Sequence, residues 1–245
     1  MQRYFIELKY NGSDFYGWQK QPNQISVQET IESALTKLFS KEIKVVGCGR
    51  TDTGVHAYKY ILHLELPERS NPEILLYKLN KITNNSIAFT SIRAVPNDLH
   101  ARFSAKTRTY RYFIHQQKDP FLAHTSLYFP IELDLQAMNQ AASYFVGEQD
   151  FTSFSKLHTD VKTNMCNVTL AEWRQIENGK YYFEITANRF LRNMVRATVG
   201  TLLEVGINKI KAESIIEILK AKNRNAAKKS VAAHGLFLWD ITYDN

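Results

Sequence analysis

Residues 47–57 read Gly47-Cys48-Gly49-Arg50-Thr51-Asp52-Thr53-Gly54-Val55-His56-Ala57, a polar stretch rich in glycine. The run before it, 42–46, is short and β-branched, and the run after it, 60–66, alternates like a half-buried strand. The sequence therefore predicts a turn held between two strands. Glycine permits positive φ and close backbone approach, so the turn can place Arg50, Asp52 and His56 against a ligand. The simpler alternative is a strand connection in which the aspartate only caps its own turn.

Strands and helices alternate around this turn in the first part of the chain. Residues 3–10 alternate as a strand, and Ser26 with Glu29 forms a capping box ahead of a helical repeat of apolar residues. Asn71 and Pro72 begin a second helix, and a strand is predicted over 86–95. The resulting order, β-α-β-β-α-β, is that of a ferredoxin-like unit, which RNA-recognition modules share with many unrelated proteins.

The second part of the chain opens with a strand at 109–114, much as residues 3–10 open the first, which indicates a pseudo-repeat. Further elements are predicted as a helix over 133–146, a mobile loop reaching Asn167, a hairpin over 170–187 around Asn178-Gly179, helices from 191 and over 212–221, and a final strand at 236–239. We therefore expect an α+β fold of two ferredoxin-like halves that form a continuous, mostly antiparallel sheet flanked by helices. The expected domains are 1–105, with the aspartate turn, and 106–245.

Composition narrows the class of protein. The 245 residues are 44% hydrophobic, which suits one or two folded domains with a sizeable core. A net charge of +7 and a pI near 9.2 favour a polyanionic partner, with nucleic acid the leading candidate. Apolar runs fall short of the roughly 18 residues of a membrane span, and the start lacks the features of a signal peptide, so we expect a cytoplasmic protein without membrane contact.

Cofactor and metal motifs are not recognisable in the sequence. Gly47 and Gly49 are not followed by the third glycine of a dinucleotide-binding fingerprint, and the lysine of a phosphate-binding loop is missing. Two cysteines and seven scattered histidines predict neither a disulfide framework nor a metal site.

Basic and aromatic residues are interleaved between 102 and 112. Arg102 and Arg108 alternate with Phe103 and Tyr110, a pattern that suits phosphate contacts beside base stacking. The alternative is a solvated edge strand. The aromatic turn at 11–19 is similarly open, because its rings can stack on bases or cover the first strand.

These stretches together resemble the bacterial tRNA pseudouridine synthase A family. Residues 49–57 resemble its signature, and the runs at 10–19, 101–112 and 188–196 resemble further motifs of the family in the expected order. Three departures are visible: Gln149 replaces a usual histidine, 231–236 lacks a proline, and 79–87 lacks a Leu-Pro pair and an acidic residue. The departures at 231–236 and 79–87 do not carry the chemistry, so we expect them to bear on the choice of RNA, whereas the sequence assigns no role to Gln149.

The resemblance implies an isomerase that converts uridine to pseudouridine in the anticodon stem-loop of tRNA, at positions 38, 39 and 40. It implies a homodimer, and since the reaction involves no net redox change, no cofactor is expected. In this family the aspartate, here Asp52, is catalytic, and the arginine of the last motif, here Arg196, pairs with it. Tyr110 would pack on the uracil and Leu191 would line its pocket.

The chemistry of the residues fits these roles. Asp52 must be ionised whether it attacks the base, attacks the sugar or removes a ribose proton, and Arg196 supplies the opposite charge that a buried carboxylate needs. Tyr110 is placed to help remove the proton from C5. Arg50 and His56 are interpreted as organisers of backbone or phosphate, with His56 as general base the less favoured role. RNA-binding roles are expected for Arg102, Arg108 and Arg192.

Three other functions are compatible with parts of the pattern. A non-catalytic RNA-binding protein of two RRM-like halves would keep the basic and aromatic residues without needing Asp52. A paralogue acting on a different RNA would keep the chemistry and change the substrate. A metal-dependent phosphodiesterase would use Asp52 and His56 together with further clustered acidic ligands.

Overall fold

The computed structural model describes residues 1–67, 70–156 and 163–244. In chain order the elements are β1 (Gln2–Tyr10), α1 (Val27–Phe39), β2 (Val46–Gly47), β3 (His56–Leu66), α2 (Pro72–Ile82), β4 (Ile87–Val95), β5 (Ala105–His115), β6 (Leu127–Tyr128), α3 (Leu135–Ser143), β7 (Gly147–Asp150), β8 (Met165–Glu177), β9 (Lys180–Ala187), α4 (Met194–Gly206), α5 (Ser214–Ala221) and β10 (Leu236–Tyr243). The chain is a mixed α/β protein whose strands are mostly antiparallel and flanked by helices. No helix in these ranges is long and apolar enough to cross a membrane.

The chain divides into two compact units. The first contains Met1–Lys106 and Phe237–Asn245, and the second contains Thr107–Leu236. The division expected from the sequence, at 105 and 106, leaves the last strand in the second half. Here β10 joins the first unit because Phe237 and Leu238 pair in parallel with His56 and Ala57 at the start of β3.

The first unit has the β-α-β-β-α-β order predicted from its sequence. Its strands lie in the order β4-β1-β3-β10, with β1 antiparallel to both β3 and β4, and β2 pairs with β3. Both predicted helix starts are observed. The Ser26 Oγ accepts the amide of Glu29 at 3.2 Å, and the Asn71 side chain accepts the amides of Glu73 and Ile74.

The strand predicted over 42–46 is wrong for most of its length, because only Val46 and Gly47 pair with β3. The backbone groups of Val45 bond to side chains of α1 instead. Its amide donates to Glu32 Oε1 at 3.1 Å, and its carbonyl accepts from Gln28 Nε2 at 3.4 Å. A short β-branched run is therefore held by a helix rather than by a neighbouring strand.

The second unit contains the strand order β5-β9-β8-β7, all antiparallel, with β6 parallel to β5. The predicted hairpin is confirmed, and Gly179 has the positive φ of 72° that its turn needs. Helix α3 begins at Leu135 rather than at the predicted 133 because Asp134 caps it, accepting the amide of Ala137, and it ends at Ser143 rather than at 146. Most of α4 is buried, which makes it the central helix of this unit.

The loop predicted to reach Asn167 is only partly a loop. Residues 147–150 form β7, which pairs with the first residues of β8 from Met165 onward. Between them, residues 157–162 lie outside the described residues. The Gly147 φ of 107° marks the point where the chain leaves α3 and enters β7. No alternation of apolar and polar residues over 147–150 signals this strand, so sequence reasoning missed it.

Candidate active site

The turn at 47–57 connects β2 to β3, as predicted. At its start the amide of Cys48 donates to the carbonyl of Ile61 at 2.9 Å, and at its end the amide of Val55 donates to the carbonyl of Asp52 at 3.1 Å. Thr51 and Val55 are buried on either side of Asp52, which is half-buried. Arg50 is exposed. The turn thus holds one carboxylate at its surface between two buried residues.

The aromatic segment at 10–18 packs against this turn and forms hydrogen bonds with it. The Tyr10 hydroxyl lies 2.8 Å from Thr51 Oγ1, and the amide of Trp18 donates to the Thr51 carbonyl at 3.1 Å. The Trp18 ring stacks on Tyr60 at 4.1 Å, and the Tyr60 hydroxyl donates to the Gly49 carbonyl at 2.5 Å. All three rings are buried. Of the two roles open for the aromatic turn at 11–19, covering the first strand therefore accounts for Trp18, whose ring lies 6.4 Å from that of Tyr10 at the end of β1.

A glycine outside the motif approaches the backbone of the turn closely. A Cβ on Gly12 would lie 2.1 Å from the carbonyl oxygen of Val55, whereas a Cβ on Gly49, inside the motif, would meet nothing within 4 Å. A side chain at position 49 would therefore meet no steric obstacle, whereas a side chain at position 12 would clash with the backbone of Val55. The signal that could have found Gly12 is its place between β1 and a run of aromatic residues.

His56 connects the end of the turn to this same segment. Its Nδ1 accepts the amide of Gly12 at 2.9 Å, and its ring stacks on Phe237 at 4.5 Å with an interplanar angle of 25°. Only 1% of the residue is exposed. With Nδ1 accepting a backbone amide, His56 orders the backbone around the turn.

Arg102 lies in the same unit, in the connection between β4 and β5. The residue is exposed, and its guanidinium carbon is 5.5 Å from the centre of the Phe103 ring. The amide of Arg102 donates to His100 Nδ1 at 3.0 Å. Like Arg50 and Asp52, Arg102 is thus carried by a connection of the first unit rather than by one of its helices.

Tyr110 lies in the middle of β5 in the second unit, opposite Ile185 of β9. Its ring makes an edge-to-face contact with Phe190 at 4.9 Å and 82°. Two residues earlier on the same strand, Arg108 donates to the carbonyl of Asn188 at 3.0 Å. Tyr110 and Arg108 therefore both contact the segment that leads from β9 towards α4.

That segment turns sharply before the helix. Asn193 has a positive φ of 67°, so α4 begins at Met194 and Leu191 precedes it, in contrast to the predicted helix face that included Leu191. Leu191 is buried, and Arg192 is exposed while its carbonyl accepts the amide of Lys156 at 3.0 Å. The left-handed residue separates these two side chains from the helix that carries Arg196.

Arg196 lies in the first turn of α4 and is held by residues 222–235, which we call the strap. Its Nε donates to the carbonyl of Val231 at 2.7 Å, and the Val231 amide donates back to the Arg196 carbonyl at 3.2 Å. Beside this pair, Asn193 Nδ2 donates to Ser230 Oγ at 2.7 Å. The strap thus fixes both the backbone and the side chain of Arg196.

The strap is stabilised internally by one of its own residues, Arg224, whose role sequence reasoning missed. The Arg224 guanidinium donates to the carbonyls of Ala227 and Lys228 at 3.2 Å and to Ser230 Oγ at 3.0 Å. A Cβ on Gly200 of α4 would lie 2.0 Å from the Lys229 carbonyl, so the strap lies directly on the helix. In the sequence these residues form only a basic run, and no local signal distinguishes Arg224 from the lysines beside it.

Tyr112, two residues after Tyr110, is a buried phenol. Its hydroxyl donates to the Ala232 carbonyl of the strap at 2.9 Å. Burial raises the pKa of Tyr112 well above its ordinary value, and the charge of Arg196 offsets only part of that rise. Tyr112 is therefore a neutral donor that supports the strap.

In the described ranges, no three histidine, cysteine, aspartate or glutamate side chains lie together in a way that could hold a metal ion.

Comparison with known proteins gives a consistent result over the whole chain. A sequence profile of the family described as tRNA pseudouridine synthase matches residues 8–104 and 141–244. The tRNA pseudouridine synthase A of Porphyromonas gingivalis is 46% identical over 246 residues, which cover 99% of this chain and 98% of that protein. That of Bacillus subtilis is 38% identical over 242 residues, with 97% of this chain and 98% of that protein covered. Arg108 and Tyr110 fall between the two segments that the profile matches.

A weaker match exists among solved structures. The archaeal box H/ACA sRNP Nop10-Cbf5 complex matches with a TM-score of 0.36 and 14% identity, over 79% of this chain and 45% of that chain.

Proposed function

The chain belongs to the bacterial tRNA pseudouridine synthase A family of isomerases, and from this premise we propose that Asp52 catalyses the conversion of uridine to pseudouridine in the anticodon stem-loop of tRNA. The reaction breaks the bond between C1′ of the ribose and N1 of the base and forms a bond from C1′ to C5. The proton on C5 is released and N1 gains one, so atoms and charge balance without an oxidant or a cofactor.

The observation that carries the assignment of Asp52 is the rigid turn around it. Thr51 and Val55 are buried and bonded to the 10–18 segment or to the turn itself, so the backbone that carries the Asp52 carboxylate has little freedom to move. A group fixed in advance loses little entropy when substrate binds, which is a large source of rate enhancement. A carboxylate that only capped its own turn would need no such support.

The second unit supplies the other groups of the proposal. Arg196 is the counter-charge of Asp52 by the family resemblance, and the strap fixes its Nε towards the Val231 carbonyl, which sets the orientation of the guanidinium. Tyr110 is the uracil-stacking residue, supported by its edge-to-face contact with Phe190. Leu191 lines the uracil pocket as a buried apolar residue.

The substrate is expected to be bound mainly through its phosphates. The net charge of +7 favours a polyanion, and Arg50, Arg102 and Arg192 are exposed basic residues suited to such contacts. A base inside a stem must leave its stack before it can react, at a cost of a few kcal/mol that stacking and phosphate contacts offset. We assign the positions 38, 39 and 40, the homodimer and the cytoplasm from the family resemblance.

The test is release of tritium from tRNA that carries 5-tritiated uridine. Wild type is compared with Asp52→Asn and with Asp98→Asn, an exposed aspartate of the same unit that serves as the matched control. We expect release by wild type and Asp98→Asn, none by Asp52→Asn, and equal tRNA binding by all three. Release by Asp52→Asn at the wild-type rate would remove Asp52 from the mechanism.

The remaining assignments have separate readouts. A tRNA transcript with cytidine at positions 38 to 40 should release no tritium, and undiminished release would move the target elsewhere. Sedimentation should give twice the 28.4 kDa of one chain, and a monomer at working concentration would contradict the dimer. If wild type binds tRNA but releases nothing, the non-catalytic RNA-binding function becomes the better account.

A further inference from the structure

The connection between β4 and β5 presents an aromatic ring to solvent. Phe103 is 77% exposed, although every other phenylalanine of the chain except Phe121 is buried or half-buried. Exposing a phenyl ring is unfavourable, since burial of apolar surface stabilises the folded state. An exposed ring on a loosely held loop needs no functional explanation. The exposure of Phe103 is informative only if the backbone of this connection is held firmly.

Two histidine rings hold the backbone beside Phe103. The amide of Ala101 donates to His63 Nδ1 at 3.1 Å, and the amides of Arg102 and Phe103 donate to His100 Nδ1 at 3.0 and 3.2 Å. A ring nitrogen can accept only when it carries no proton. Burial, with help from the Arg3 charge, lowers the pKa of both histidines, that of His63 to about 4, so both accept at neutral pH.

Three further bonds fix the same connection from other positions. The Tyr243 hydroxyl donates to the Ala101 carbonyl at 2.7 Å, and Arg3 donates to the Leu99 carbonyl at 3.0 Å. The amide of His100 donates to Ser104 Oγ at 2.9 Å. The backbone that carries Phe103 is therefore rigid while its ring stays in water, which is the arrangement of a preformed contact.

The surroundings of the ring indicate what it contacts. The Arg102 guanidinium lies 5.5 Å from the ring centre, and the His100 ring lies at 4.4 Å. An aromatic ring beside a guanidinium suits a nucleobase together with its phosphate, as in proteins that bind unpaired nucleic acid. An apolar protein partner would have to bury the Arg102 charge, which is costly.

We propose that Phe103 is a stacking platform for an unpaired nucleobase of the tRNA, with Arg102 on the adjoining phosphate. The proposal rests on the proposed function only for the identity of the RNA. Phe103 has no part in the bond changes assigned to Asp52, so it contributes to binding, and its loss should raise KM and leave kcat unchanged.

The first experiment uses Phe103→Trp as a fluorescent reporter, in the Asp52→Asn background so that no turnover occurs. Titration with unmodified tRNA should quench the added fluorescence, measured as the difference from Asp52→Asn alone. The matched control is Phe121→Trp in the same background, at a phenylalanine of the other unit that is 92% exposed and lies outside this connection. We expect no quenching there. An unquenched reporter at position 103 under saturating tRNA would overturn the proposal.

The second experiment measures tRNA affinity. Phe103→Ala should weaken binding about tenfold, Phe103→Tyr should restore it, and Phe121→Ala should bind as wild type does. Unchanged unfolding temperature is expected for Phe103→Ala because the ring is exposed, so a loss of fold is distinguishable. Unaltered affinity would refute the base contact. A dimer that dissociates while each chain still binds tRNA normally would also refute it, and would mean that the ring contacts a second copy of the chain.

The two proposals fail separately. Absence of tritium release by wild type, with the reporter at position 103 still quenched by tRNA, would refute the isomerase assignment and support the stacking contact. Normal tritium release by wild type, together with a wild-type KM for Phe103→Ala, would support the isomerase assignment and refute the stacking contact.

Discussion

The turn that carries Asp52 and the helix start that carries Arg196 are supported in opposite ways. Below the turn lie buried rings and a glycine: Trp18 stacks on Tyr60 at 4.1 Å, and Gly12 leaves no room for a Cβ beside Val55. Against the helix start lies the strap, which is held by hydrogen bonds from one guanidinium to carbonyl and hydroxyl oxygens. The first support is buried and combines ring packing with hydrogen bonds to Thr51 and Gly49, whereas the second is polar and partly exposed.

Because of this difference, substitutions in the two regions should affect stability and catalysis differently. Packed interiors resist added volume, so a defect beneath the turn should destabilise the first unit as a whole. Hydrogen bonds at a partly exposed segment contribute about 1 kcal/mol each to stability, so the strap can loosen while the second unit stays folded. Loss of the strap should therefore lower the rate of catalysis before it lowers stability.

The largest effect is expected from Gly12→Ala. The alanine Cβ would lie 2.1 Å from the Val55 carbonyl oxygen, and no side-chain rotation can move either atom away. We expect the free energy of unfolding to fall by about 3 kcal/mol and the Tm by roughly 6–12 °C. Thermal unfolding followed by circular dichroism measures both.

Gly49→Ala is the matched control for that variant, since its Cβ would meet nothing within 4 Å. Its free energy of unfolding should stay within about 0.5 kcal/mol of wild type. Equal unfolding temperatures for Gly12→Ala and Gly49→Ala would show that packing does not support the turn, and the contrast between the two regions would then be wrong.

A smaller effect on stability and a clear one on rate are expected from Arg224→Ala. The strap loses its bonds to Ala227, Lys228 and Ser230, so the Val231 carbonyl no longer holds Arg196 in place. We expect kcat for tritium release to fall about tenfold, equivalent to about 1.4 kcal/mol, with KM unchanged. Steady-state kinetics with unmodified tRNA measure this.

Two variants separate positioning from charge. Arg224→Lys keeps the charge but has no planar fork for several oxygens, so it should recover only part of the rate. Lys229→Ala removes an exposed charge from the same segment and should react at the wild-type rate. An Arg224→Ala variant with a raised KM and an unchanged kcat would assign Arg224 to RNA binding instead.

The last effect, which is the smallest because it is absent at neutral pH, is a pH dependence that arises in the first unit. Burial lowers the pKa of His63 from its ordinary value of 6.5 to about 4, so the unfolded chain binds an extra proton between these values. The stabilising contribution is complete above pH 6.5 and is lost as the pH falls through this window, at most about 1.4 kcal/mol per pH unit. The free energy of unfolding of His63→Asn should therefore fall less steeply from pH 6.5 to 4.5 than that of wild type.

Denaturant titrations at several pH values provide that measurement. His124→Asn, at an exposed histidine of the second unit, is the control and should keep the wild-type slope. If His63→Asn and His124→Asn have the same slope, protonation of His63 does not oppose folding, and the histidine support of the 101–103 backbone is weaker than its geometry indicates.

Local patterns were sufficient for much of the fold. The order of elements in the first unit, the caps at Ser26 and Asn71 and the turn at Gly179 follow from apolar periodicity and from side chains that bond their own neighbours.

The errors have a non-local cause. Val45 leaves the predicted strand because Glu32 of α1 accepts its amide, and the left-handed Asn193, which separates Leu191 from α4, donates to Ser230 of the strap. These bonds join residues 13 and 37 positions apart. Apolar spacing within a short run carries no information about such partners.

The candidate site divides in the same way. The sequence by itself determined the motif around Asp52, the basic and aromatic residues and the family to which they point, because these are properties of short runs of residue types. Only the tertiary structure decided that Gly12 and His56 fix the turn, that Arg224 holds the strap on Arg196, and that His63 and His100 hold the backbone of Phe103. Most of these contacts join residues far apart in the chain, and packing density and hydrogen-bond geometry, which select them, exist only once the chain has folded.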